Sequence, residues 1–199
     1  MLYWSTRFLC LLLQFVYFPM TVWGRENFPA KGSFILASNH LSNLDPPIIS
    51  LLLRRRFHFI AKDSLFKNRY FGWFLRNTGT IAIKRESSDF RALRAALRGL
   101  QKRPIVIFPE GSRDAVRRAA NRGQKSFSGI GFLAAKSQVP VIPIKIVGSD
   151  NVMPVHATKL RRYPVKVIIG KPVQFSKDDL YPQITYRIMS DIANLDIPA

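Results

Sequence analysis

Residues 32–47 read G-S-F-I-L-A-S-N-H-L-S-N-L-D-P-P. A short apolar run, Phe34 to Ala37, stops abruptly in polar residues carrying His40, and Asp45 follows just before Pro46 and Pro47. This is how an α/β protein delivers a base to the carboxyl end of a buried strand, where open-sheet sites form. Histidine has an unperturbed pKa of about 6.5, which suits proton transfer near neutrality. A neighbouring carboxylate can fix its tautomer and stabilise the imidazolium. The same residues also read as a helix start, with Asp45 as N-cap and Pro46 in the first helical position.

Outward from this stretch, strands and helices alternate. Strand candidates fall at 33–37, 57–61, 80–84, 105–108, 141–147 and 164–169, each short, β-branched or aromatic, and bounded by Gly, Pro or polar clusters. Helix candidates fall at 46–53, 64–76, 88–101, 127–138 and 178–195. In the third helix Phe90, Leu93, Leu97 and Leu100 form one stripe, opposite Arg91, Arg94 and Arg98. The expected fold is α/β: a single domain with a mostly parallel or mixed sheet covered by helices. The chain shows no repeat, linker or low-complexity tract, and its 199 residues suffice for one sizeable core.

The N-terminal segment is expected to be a helical membrane anchor over 1–24, ahead of the main domain at 25–199. Residues 8–23 would make a helix of about 24 Å, short of a ~30 Å hydrocarbon core, and Gln14 and Pro19 interrupt it. Tyr3, Trp4, Tyr17 and Trp23 bracket it as interfacial aromatics do. The expected placement is monotopic or re-entrant, with a single span as runner-up, at the cytoplasmic face of the cell membrane. Helix 64–76 carries Phe66, Tyr70, Phe71, Trp73 and Phe74 among Lys67, Arg69 and Arg76, which suits either a lipid interface or a core helix with a basic rim.

Lys and Arg number 31 against 12 Asp and Glu, a net charge of +19, and residues 54–125 hold 19 of the bases and only 5 of the acids. Such a field attracts nucleic acid, anionic lipid or an acidic protein. The basic run 113–125 contains no aromatic residue on which a base could stack, so RNA binding is not expected. The one cysteine, Cys10, lies in the apolar segment and excludes an intrachain disulfide. His58 and His156 are isolated and read as structural, and no zinc-type cluster occurs.

Three further segments stand out. Gly79-Thr-Ile-Ala-Ile-Lys-Arg85 ends in two cations, of which alternation lets one face a site; Arg85, with its bidentate fork, is preferred over Lys84. Ile105-Val-Ile-Phe-Pro-Glu-Gly-Ser-Arg113 runs a buried strand into a turn carrying a carboxylate and a guanidinium. Val139-Pro-Val-Ile-Pro143 sets two prolines in an apolar run, which implies an edge, a bulge or a wall needing no donors.

In order, N-H-x-x-x-x-D at 39–45, G-T-I-A-I-K-R at 79–85, F-P-E-G-S-R at 108–113 and V-P-V-I-P at 139–143 resemble the four blocks of glycerolipid acyltransferases. The likeness is strongest to the bacterial-type 1-acylglycerol-3-phosphate O-acyltransferases, with Ser112 where that family usually has Thr. The resemblance implies His40 as general base and Asp45 as its orienting partner. It implies phosphate contacts at Arg85 and Arg113, with Lys62 and Lys84 as further cations, and an acceptor site at Glu110, Gly111 and Ser112. Val139, Pro140 and Pro143 fall on the acyl-donor side. It implies no metal and no cofactor beyond the co-substrate, acyl-CoA or acyl carrier protein. The implied partners are lysophosphatidic acid and anionic membrane lipids, and the product is phosphatidic acid. Glycerol 3-phosphate or another lysophospholipid as acceptor, and a non-catalytic binder of acidic lipid or RNA, are the competing readings.

Overall fold

The computed structural model describes residues 2–84, 89–110, 129–155 and 157–198. Seven strands form one mixed sheet: β1 (Met20–Trp23), β2 (Ile35–Ser38), β3 (His58–Lys62), β4 (Ile81–Ile83), β5 (Ile105–Ile107), β6 (Val141–Val147) and β7 (Val165–Ile169). The helices are α1 (Leu2–Tyr17), α2 (Asp45–Leu52), α3 (Arg69–Thr78), α4 (Phe90–Leu100), α5 (Gly129–Ser137), the single turn α6 (Ser149–Val152) and α7 (Tyr181–Ala193). The strand order is β1-β7-β6-β2-β5-β3-β4. From β6 to β4 every pairing is parallel. β7 runs antiparallel to β6 and carries β1 parallel to itself on the edge.

Alternation along the strands builds two cores. Leu36, Val106, Ile142 and Ile144 pack with Ile48, Ile49 and Leu52 of α2 and with Cys10 and Phe18. On the other side Ile35, Ala37, Ile105 and Ile107 pack with Leu93, Ala96 and Leu100 of α4, Ile130 and Leu133 of α5, and Ile184 and Ile188 of α7. Right-handed crossovers account for this split. The connections β2–β3 and β3–β4 advance along the sheet, placing α2 and α3 on one face. The connection β4–β5 returns, which puts α4 on the opposite face.

Four expectations are corrected. The N-terminal segment is helical only to Tyr17; residues 20–23 form β1, because Pro19 cannot continue a helix and an apolar run of this length has no periodicity to tell strand from helix. Helix α1 has 16 residues, and among the described residues no helix is long and apolar enough to cross a membrane, against the runner-up single span. The 64–76 helix divides into a 3-10 turn, Asp63–Phe66, and α3, because the Asn68 side chain caps α3 by accepting from the Tyr70 and Phe71 amides. Strand β6 is interior despite its prolines. Pro143 is tolerated there because regular pairing with β7 ends at Ile144–Ile169; beyond it the Gly170 amide donates to the Pro143 carbonyl at 2.8 Å. A Cβ on Gly170 would stand 2.7 Å from the Pro143 ring, so the glycine makes room for it.

Candidate active site

Because β2, β5, β3 and β4 are parallel, their carboxyl ends share one edge of the sheet. That edge receives His40 after β2, Phe108 to Glu110 after β5, Lys62 at the end of β3 and Lys84 after β4. At ~4.8 Å per strand, β3 stands about 10 Å and β4 about 14 Å from β2. The chain leaves β2 toward the α2 face, while α5, which follows β5, packs on the other. Helices packed on opposite faces mark these adjacent strands as a switch point, the crevice where open α/β sheets bind ligands.

His40 Nδ1 lies 2.8 Å from Asp45 Oδ2. The same oxygen accepts from the Leu41 amide at 2.7 Å and the Ser42 amide at 2.8 Å. Asp45 is 0 % exposed, and its carboxylate turns back to the loop before it instead of capping α2, whose N-cap residue is Leu44. An ionised carboxylate can only accept, so Nδ1 carries the ring proton and Nε2 keeps the basic lone pair. The imidazole stacks on Phe108, with ring centroids 4.1 Å apart and planes inclined by 21°.

Two neighbours of this pair have roles that the motif letters do not reveal. Asn39 donates from Nδ2 to the Ile146 carbonyl at 2.8 Å and accepts the Ile146 amide on Oδ1 at 2.8 Å. Backbone pairing of β2 with β6 ends at Ser38–Ile144, so this side-chain amide supplies the next rung in place of a peptide. The main chain is thereby released to carry His40 out of the sheet. Ser42, fully buried, donates to the Met153 carbonyl at 2.7 Å just past α6 and accepts from the Leu44 amide at 3.2 Å. Both residues stand inside the first motif; only the sheet register shows what they hold. Asn39→Ala leaves a buried N–H and C=O unpaired, so stability falls by about 1–3 kcal/mol, measured as a lower denaturant midpoint at unchanged m-value.

From His40 a cavity of about 530 Å³ extends beneath α1 and α3. It is walled by Tyr3, Cys10, Phe59, Phe71, Phe74 and Leu75, and Lys62, the last residue of β3, lines it too. Helix α1 is fastened over it: Arg7 donates to the Ser50 and Leu51 carbonyls at the end of α2, and the Tyr3 hydroxyl donates to the Arg55 carbonyl at 3.0 Å. Burial pushes the Cys10 thiol upward, partly offset by Arg7, so its thiolate is scarce near neutrality and it is not poised as a nucleophile.

The other sequence candidates are distributed unevenly. Lys62 shares the cavity with His40. Glu110 is half-buried, two residues past Phe108, and Lys84 is exposed, its amide donating to Asp89 Oδ2 at 3.1 Å. Arg85, Gly111, Ser112 and Arg113 lie outside the described residues, as does His156. Val139 and Pro140 stand at the opposite edge of the sheet: the Pro140 carbonyl accepts from Ile35, the first residue of β2, and Pro143 pairs with Ala37 in mid-sheet. Among the described residues no three His, Cys, Asp or Glu side chains gather as a metal site.

The acyltransferase family profile matches residues 19–147, spanning β1 to β6 and the whole crevice. The chain belongs to this acyltransferase family. Within it, the chain is 32% identical over 170 residues to the chloroplastic 1-acyl-sn-glycerol-3-phosphate acyltransferase BAT2 of Brassica napus, covering 82% of this chain and 48% of that protein. It is 29% identical over 170 residues to the 1-acyl-sn-glycerol-3-phosphate acyltransferase of Helicobacter pylori, covering 80% of this chain and 68% of that one. The crystal structure of the 1-acyl-sn-glycerophosphate acyltransferase PlsC from Thermotoga maritima is similar with a TM-score of 0.63 at 25% identity, over 89% of this chain and 74% of that chain. The chain spans about half the length of its plant relatives.

Proposed function

We propose that the protein transfers an acyl chain from an acyl thioester, on coenzyme A or acyl carrier protein, to the sn-2 hydroxyl of 1-acylglycerol 3-phosphate, giving phosphatidic acid. The observation that carries this reading is the His40–Asp45 contact of 2.8 Å at the head of an apolar cavity. His40 Nε2 takes the proton from the acceptor hydroxyl as its oxygen attacks the thioester carbonyl. The tetrahedral adduct collapses, the C–S bond breaks, and the imidazolium returns its proton to the departing thiolate. Asp45 holds the tautomer and stabilises the transient positive ring. Lys62 meets the phosphate, together with Lys84, Arg85 and Arg113. Glu110, Gly111 and Ser112 hold the acceptor, and Val139, Pro140 and Pro143 serve the donor side through the strand they shape. The cavity, within the ~300–1,000 Å³ of small-ligand pockets, takes an acyl chain.

In this reading helix α1 is a monotopic or re-entrant anchor at the cytoplasmic face of the membrane. Its outward residues Phe8, Leu12 and Phe15 support that placement.

The deciding assay uses the purified full chain in detergent with lysophosphatidate, glycerol 3-phosphate and several lysophospholipids, against both donor types. Phosphatidate formed from lysophosphatidate is the expected product. Transfer only to another acceptor, or no transfer at all, overturns the reading. The cavity has its own test. Thr78→Phe takes up space in the cavity wall and shifts donor preference toward shorter acyl chains, seen in kcat/KM across a chain-length series; an unchanged preference removes the cavity from acyl binding.

A further inference from the structure

The outward face of α3 has no task in the reaction just described, and its composition is unusual for a helix facing water. Tyr70 is 81% exposed and Trp73 56%, while Gly72, Leu75 and Thr78 are buried on the other side. At helical spacing, Arg69 and Arg76 flank Trp73, so two guanidinium groups border the two rings, and Lys67 stands exposed just before the helix. The helix contains no acidic residue. Tyrosine and tryptophan rings settle at the head-group level of a bilayer, and arginine stems lie along apolar surface while their charged ends reach phosphate.

We propose that α3 is a second membrane-contact element, seated in the head groups of an anionic bilayer beside α1. The inference deepens the proposed function and rests on its membrane placement. Three observations select lipid as the occupant. The face is cationic and aromatic together, complementary to anionic head groups over an apolar layer. It lies beside α1, whose outward residues Trp4 and Phe8 are 45% and 63% exposed, because α1 and α3 touch and wall the same cavity. Helix α4, on the opposite face of the sheet, exposes Arg91, Arg94 and Arg98 with Phe90 alone among aromatics, at its first turn. Of these two basic helices, only the one beside α1 sets its cations around a pair of rings. With two contacts instead of one, the protein is fixed against rotation about α1, and the crevice holds a set tilt to the membrane.

The chain has three tryptophans, at 4, 23 and 73, which makes the proposal directly readable. Trp4→Phe with Trp23→Phe leaves Trp73 as sole fluorophore; Trp23→Phe with Trp73→Phe leaves Trp4. Both are mixed with phosphatidylglycerol vesicles carrying brominated acyl chains. Quenching of both tryptophans is the expected result. Quenching of Trp4 alone means that α1 docks unaided and overturns the proposal. Protection of Trp73 from brominated lipid and from aqueous acrylamide alike means that protein covers it, which overturns the proposal equally. Arg69→Gln with Arg76→Gln weakens binding to phosphatidylglycerol vesicles about fivefold for each arginine and leaves phosphatidylcholine binding unchanged; equal loss on both lipids overturns the cationic role. Acyl transfer to a short-chain, monomeric lysophosphatidate in detergent is followed on every variant. It verifies folding and separates the two readings: activity without Trp73 quenching removes the docking proposal alone, and quenching without activity removes the reaction alone.

Discussion

His40→Ala lowers kcat by about 10³-fold or more, while lysophosphatidate still binds. A positioned general base contributes about 10²–10⁴-fold, and Phe108, on which the ring stacks, offers no proton acceptor in its place. The loss should fall on kcat, because the proposed reaction assigns the phosphate to the cations and the acyl chain to the cavity wall, not to His40. Single-turnover acyl transfer beside equilibrium binding of the acceptor separates the two quantities. Unchanged product formation in a preparation free of host acyltransferase would remove His40 from the mechanism. The folded state should survive, since the imidazole lies at the lip of the crevice while both cores lie beneath it.

Asp45 gives a different and sharper expectation, because one buried oxygen serves three donors. Asp45→Asn keeps an acceptor for the Leu41 and Ser42 amides, so the loop stays folded. The same carbonyl oxygen also accepts from Nδ1, so the tautomer is kept, but the neutral amide no longer stabilises the imidazolium that forms. The loss falls on kcat and stays below the ~10⁴ that the equivalent change costs in Ser-His-Asp hydrolases, where the tautomer inverts as well. Asp45→Ala additionally leaves two buried amides unpaired, at about 1–3 kcal/mol each, so it should lower the melting temperature as well as activity. Loss of activity with equal loss of stability in both variants would make Asp45 a loop brace and nothing more. Circular dichroism melts run beside the transfer assay decide between them.

Much of this was legible in the sequence because it rests on local chemistry. The abrupt end of the Phe34–Ala37 run announced a strand terminus, and the five-residue step from His40 to Asp45 put an acid and a base within one turn of chain. Strand alternation with helices announced the layers. What escaped depended on long-range register. That Met20–Trp23 pairs with Val165–Ile168 cannot be read from an apolar run that serves a helix as readily. That Pro143 fits an interior strand follows from where the pairing with β7 stops, which nothing within Val139–Pro143 reveals. Asn39 was visible as a motif letter, yet its role exists only once Ile146 stands opposite it. The cavity likewise needs α1 and α3 closed over β3, and no single segment encodes that meeting.

Strand β1 has one neighbour in the sheet, β7, and their register joins Met20 to Val165. On a ribosome adding roughly 5–20 residues per second, that partner emerges roughly 7–30 s after β1 does. Throughout the interval α1 is already made, apolar on its outward side, and not yet tethered through the edge strand. With α1 as the anchor proposed above, a nascent chain meets the lipid surface before its own sheet is complete, and lodging there shields the segment from aggregation during synthesis. Biogenesis, on this view, is ordered by the sheet's topology: capture first, closure of the fold last.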